Sequence, residues 1–307
     1  MPKIAFTFAH HICRMTSLGR VAYQARPSVT LNPARATEWG SSFQMLVRCP
    51  LLVLALGPGG SPSPTRQSMC GRIIQASPPD QLALKIVSGL EDRDNRVPTG
   101  TNSPRRYNGA PSQQHWVIRR NPQTGACSLD LLQWGLLPNW CKDPKALRPI
   151  NAMAETVATK PYFREAYQRR RCIVPVDGFF EWMAVKGSKV KQPYAIAMKD
   201  RSPFGIAGVW ENWQDPATKE WIRTFAVVTT NSNELVSRIH NRMPVILAPE
   251  DFERWLGTEL DPRDLMAPFP SEPMTMWPVS TRVNSPRNDD PSLVEAVDLT
   301  ATLEETA

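Results

Sequence analysis

From residue 69 onward the chain is built of short apolar runs separated by proline- and glycine-bearing turns. Ser77-Pro78-Pro79-Asp80, followed by Leu82, Leu84, Ile86 and Val87, predicts a capped helix with proline in its first turn. Residues 91–113 are polar and proline-bearing, which predicts a loop. Trp116-Val117-Ile118 and Leu129-Asp130-Leu131-Leu132 flank turn residues at Asn121–Gly125, a hairpin pattern. Thr159-Lys160-Pro161 opens a short helix through Tyr167. Cys172–Val176, Tyr194–Met198, Gly205–Val209, Phe225–Thr229 and Val245–Leu247 read as five short strands. Asn231–Asn241 and Pro249–Leu256 read as helices, the second closed by Gly257. Many strands with few helices between them predict an α+β fold. Its mainly antiparallel, barrel-like β core carries flanking short helices in a single domain.

The first 68 residues follow another pattern. They show no sustained period and end in Gly-Pro-Gly-Gly-Ser-Pro-Ser-Pro, a flexible-linker composition. They read as a disordered leader, a transit peptide, or an extension ahead of a true start at Met69. Residues 69–295 are expected to form the folded domain, and 296–307 an acidic disordered tail.

Composition matters mainly through where the charge lies. The formal net charge is +7, but residues 1–68 hold seven Lys/Arg and one acid. The remainder has 29 basic and 28 acidic residues, so bulk charge says nothing about nucleic acid. Only local clusters could: Arg105-Arg106, Arg119-Arg120 and Arg169-Arg170-Arg171 are candidates for phosphate contacts, or solvated surface charge. Thirty prolines argue against a helical bundle. The six cysteines (13, 49, 70, 127, 141 and 172) show no zinc spacing and read as reduced thiols. No metal or cofactor is expected. The apolar run Met45–Leu56 is too short for a bilayer, which needs about 20 residues. The expected setting is cytoplasmic, with the protein a monomer off the membrane.

Several segments carry candidate chemistry. Met69-Cys70-Gly71-Arg72 begins the folded part, and Arg106-Tyr107-Asn108-Gly109-Ala110-Pro111 follows. Gln133-Trp134-Gly135-Leu136-Leu137-Pro138-Asn139-Trp140 precedes Pro149-Ile150-Asn151-Ala152-Met153-Ala154-Glu155-Thr156. Val176-Asp177-Gly178-Phe179-Phe180-Glu181-Trp182 ends a strand, Arg238-Ile239-His240-Asn241-Arg242-Met243-Pro244 closes a helix, and Trp277-Pro278-Val279-Ser280 comes last. Together, and in this order, they resemble the motif set of the SOS-response-associated peptidase (abasic-site processing) family, over roughly residues 69–295.

The chemistry can also be argued from the residues. A chain-terminal cysteine bears a thiol and an α-amine on adjacent carbons, and the amine, with a pKa near 7.7–8.0, is partly neutral at physiological pH. Such an amine condenses with an aldehyde, and the thiol can close on the same carbon to give a thiazolidine ring. An internal Cys70 could not react so, because its nitrogen would be an amide. His115 and His240 are the histidines beyond residue 69. His115, in a polar run, is expected at the surface. Glu181, amid aromatics, is a candidate acid–base if buried. Read alone, Cys70 could equally be an inert thiol, His240 structural, Glu181 a strand residue facing water and Asn151 a turn residue.

The resemblance implies more. Cys70, Asn151, Glu181 and His240 would be catalytic, with Glu155 in support. Arg72, Arg242 and Asn108 would contact DNA and Trp140 would stack on bases, whereas Trp134 is expected in the core. Met153 stands where the family usually has arginine. The implied function is a covalent crosslink from Cys70 to abasic sites in single-stranded DNA, with autoproteolytic maturation, possible lyase activity and nucleoid association during DNA damage. Two other readings stand beside it: a cysteine peptidase built on Cys70, His240 and Asn151, and a non-catalytic single-strand DNA-binding module.

Overall fold

The computed structural model describes residues 71–79, 81–83, 105–121, 123–188 and 190–299. Cys70, the leader, residues 84–104 and residues 300–307 therefore lie outside the described residues. In chain order the strands are β1 (Ile73–Gln75), β2 (Arg106–Gly109), β3 (Gln114–Arg120), β4 (Cys127–Trp134) and β5 (Asn151–Met153). Helix α1 (Arg164–Arg169) follows, then β6 (Arg171–Val176), β7 (Gly178–Met183), β8 (Gln192–Met198), β9 (Phe204–Gln214) and β10 (Trp221–Asn231). Short β11 (Arg242–Pro244) and β12 (Ile246–Leu247) lead to helix α2 (Phe252–Leu256) and to β13 (Met274–Pro278).

Five strands close into a barrel. β4 pairs with β3, β3 with β6, β6 with β9 and β9 with β10, all antiparallel. An odd ring cannot alternate direction throughout, so one junction must be parallel. It is the short one between β10 and β4, with Thr224 opposite Gln133 and Phe225 opposite Trp134. A second, antiparallel sheet runs β13-β8-β7-β1-β2. The architecture is the mainly antiparallel α+β fold with short helices expected from the sequence.

The period of two along the barrel strands assigns side chains to cores. In β6, Cys172, Val174 and Val176 join a cluster with Ile73, Phe179 and Ile196 of the second sheet. Ile173 points the other way, into a cluster with Tyr167 of α1 and Trp255 of α2. Both faces are covered, so β6 is buried at every position. This explains why Cys172–Val176 is a continuous apolar run rather than an alternating one.

Several expectations need correction. The helix expected over Asn231–Asn241 is a single 3-10 turn, Val236–Arg238, because Asn231 still belongs to β10 and Asn233 caps the turn, its Oδ1 accepting from the Val236 N–H. The loop expected across 91–113 contains β2, drawn into the sheet by pairing with β1. Gly257 does end α2, but at φ −75° it is not left-handed; a Cβ there would lie 2.9 Å from the Glu253 carbonyl. At the end of the described residues Ala296 bridges Val279 and the Val297 N–H donates to the Pro278 carbonyl.

Candidate active site

β7 carries Glu181 between Phe180 and Trp182, and its pairing with β1 and β8 buries the carboxyl-bearing residue almost completely. Gly71 and Arg72, just before β1, lie alongside. Together with Pro111, Lys191, His240 and Asn284 these residues line a cleft of ≈ 440 Å³. Three segments far apart in sequence, at Gly71, Glu181 and His240, thus meet in one cleft. The peptide bond from Gly71 leads to Cys70, which lies outside the described residues.

His240 reaches the cleft from the link between the 3-10 turn and β11. Its Nδ1 lies 3.1 Å from both the N–H and the carbonyl of Arg242. Arg242 is itself buried: it pairs with Glu155 through both guanidinium ends, and also donates to Asn231 Oδ1 (3.0 Å) and the Thr229 carbonyl (2.7 Å). This guanidinium holds the Glu155 carboxyl below its usual pKa. Arg242 therefore braces the His240 loop from within.

The same holds for Asn108. Its amide donates to the carbonyls of Val283, Ser285 and Asn288, and its Oδ1 accepts from Arg72 at 2.8 Å. Buried, it ties the segment around Ser285 to β2. Arg72 also donates to the Val283 and Asn284 carbonyls and lies over the Trp182 ring, yet still lines the cleft. Burial lowers its pKa from the ordinary value.

Asn151 is half-buried on β5, opposite Val227 of β10, and is not among the residues lining this cleft. Trp140 projects from the loop between β4 and β5, 55% exposed, edge-on to Tyr162. Trp134 is in the core, as expected, stacked on Phe225. Among the described residues no three His, Cys, Asp or Glu side chains gather as metal ligands, and no helix is long and apolar enough to cross a membrane.

One sequence expectation fails on burial. His115 is fully buried, not at the surface; its Nε2 lies 3.0 Å from the Ala110 carbonyl and its ring meets Trp134 and Phe225 edge-on. Burial pushes its pKa down to about 4. Of the clustered arginines, Arg119 and Arg171 are buried, Arg105 and Arg169 are exposed, and the others are half-buried. Arg106 pairs with Asp289, Arg119 with Asp130, Arg120 with Glu253 and Arg170 with Glu165 and Glu211. Arg171 caps carbonyls of Tyr167, Trp255, Gly257 and Glu259.

A family model for SOS response associated peptidase (SRAP) matches residues 69–286. The chain belongs to the SOS response associated peptidase family. It is similar to a Bacillus subtilis protein named abasic site processing protein YoqW, 38% identical over 74% of this chain and the whole of that one. A chicken (Gallus gallus) relative, abasic site processing protein HMCES, is 32% identical over 63% of this chain and 66% of its own. Among solved structures, a protein from Bacteroides thetaiotaomicron matches with a TM-score of 0.64 at 28% identity, covering 75% of this chain and all of that one. The family match begins at Met69, so the cleft's first residue, Gly71, stands two positions into the family domain.

Proposed function

We propose that this member of the SOS response associated peptidase family processes abasic sites by forming a covalent bond from Cys70, as a chain-terminal residue, to the ring-opened sugar of an abasic site in single-stranded DNA. The observation that carries the reading is the convergence of Gly71, Glu181 and His240 on one cleft. It brings a buried carboxyl and an imidazole to the residue bonded to Cys70. The names of the relatives point to the same substrate.

The neutral α-amine of Cys70 adds to the aldehyde carbon, and loss of one water gives an imine. The thiol sulfur then adds to the imine carbon while the nitrogen takes a proton, closing a thiazolidine. Protons must leave the amine and reach the departing oxygen. Glu181, buried among aromatics, and His240 through Nε2 are the groups assigned to move them. Arg242 and Glu155 act by position, holding His240 through the Arg242 backbone. Asn151 is assigned to substrate orientation from β5, and Arg72 and Trp140 to the flanking DNA. Autoproteolytic exposure of Cys70 belongs to the same proposal.

A peptidase trio of Cys70, His240 and Asn151 has less support, because the orienting partner at His240 Nδ1 is the Arg242 backbone rather than an amide side chain. Glu181→Gln and His240→Asn should each slow adduct formation about 10²-fold or more while leaving DNA affinity within about twofold. Unchanged adduct rates in both variants would remove these residues from the mechanism.

A further inference from the structure

The cleft does not end at His240. A second depression of ≈ 260 Å³, lined by Trp182, Ala184, Lys191, Ser237, Arg238, Ile239, His240 and Asn241, shares Trp182, Lys191 and His240 with the first. The two are consequently one groove, with His240 at its middle and Lys191 on its wall throughout. No acidic residue lines the outer part, and the acid of the inner part is the buried Glu181.

Among the described residues, many arginines of the domain are held in ion pairs, whereas others, such as Arg164, Arg169 and Arg201, are not. Arg106, Arg119, Arg120, Arg170, Arg242 and Arg254 are all ion-paired. Among the described residues, Lys191 and Arg238 form no ion pair, not even with Glu234, one turn before Arg238. An unpaired lysine and arginine lining one groove suit an anionic strand passing through it, because each can meet a phosphate without first breaking a bridge. Trp182 offers an aromatic wall between them, of the kind on which unpaired bases stack.

We infer that Lys191 and Arg238 form a phosphate-binding subsite that guides the single strand on one side of the reacting sugar through the groove beyond His240. The inference rests on the abasic-site reading and adds two phosphate contacts, Lys191 and Arg238, to those that the motif resemblance implies. Lys191 lies on the approach to β8 and Arg238 at the end of the 3-10 turn.

The test is equilibrium binding of the full chain to labelled single-stranded DNA carrying a tetrahydrofuran abasic analogue, which has no aldehyde and so cannot crosslink. Lys191→Ala and Arg238→Ala should each weaken binding severalfold and lower the slope of log K against log salt by about 0.7. The double variant should lower it by about twice that, and Lys191→Arg should keep the wild-type slope. Unchanged affinity and slope in both single variants would overturn the inference, as would salt-independent binding by the wild type. Crosslinking to natural abasic DNA is measured in parallel. Its absence, with the slopes behaving as stated, would sink the covalent chemistry and leave the groove standing.

Discussion

His115 sits on β3 with its ring edges against Trp134 and Phe225, and this packing keeps the imidazole neutral. Its pKa in the fold is about 4, against about 6.5 for the free side chain. The unfolded chain therefore takes up a proton near pH 6.5 that the folded chain refuses until about pH 4. The stability His115 confers is complete above pH 6.5 and is lost as pH falls through this window, by about 3 kcal/mol. Replacing it with Gln, which can still donate to the Ala110 carbonyl, should flatten the pH 6.5 to 4 limb of a denaturation-midpoint profile; an unaltered limb would contradict the assignment. Arg242 illustrates the same rule for a permanent charge. It is buried among Glu155, Asn231 and the Thr229 carbonyl, and removing Glu155 would leave its charge buried and unpaired.

At the scale of elements, the loop between β4 and β5 interrupts the parallel pairing with β10 and carries the exposed Trp140. β4 leaves β10 after Trp134, and β5 resumes the parallel pairing at Asn151, opposite Val227. Gly135 makes the departure possible: it has φ +124°, and a Cβ there would lie 3.1 Å from the Arg148 Cβ. Gly135→Ala should cost about 1–3 kcal/mol, read as a lowered urea midpoint with unchanged m-value. A shift below about 0.5 kcal/mol would show that the turn tolerates a side chain. The hairpin at Asn121–Gly125 and the strand character of Cys172–Val176 were legible because local turn chemistry and apolar runs specify them. The short strands β1, β2 and β5, of three or four residues, were not, since each is defined by a distant partner rather than by its own period. The segment before His240 misled for a related reason. Its apolar spacing fits a helix, but Asn231 is claimed by pairing with Arg242.

For the molecule as a whole, the motif order located the cleft better than charge did. Glu181 and His240, distant in sequence, face one groove, whereas most of the clustered arginines are engaged in internal pairs that hold the helices and strands together. Burial was the missing information: no sequence pattern separates an arginine bridged to Glu211 from one open to solvent. Lys191 and Arg238 were not among the charge clusters read from the sequence, because neither belongs to a run of like charge. The central claim depends on Cys70 having a free amine, and so on where the working chain begins. It is tested most directly by mixing abasic single-stranded DNA with two forms, one retaining Met1 and one beginning at Cys70, and measuring intact mass after denaturation. The account predicts an adduct one water lighter than the sum of its parts from the Cys70 form alone. No adduct from that form, or an equal yield from chains shown to retain Met1, would contradict it.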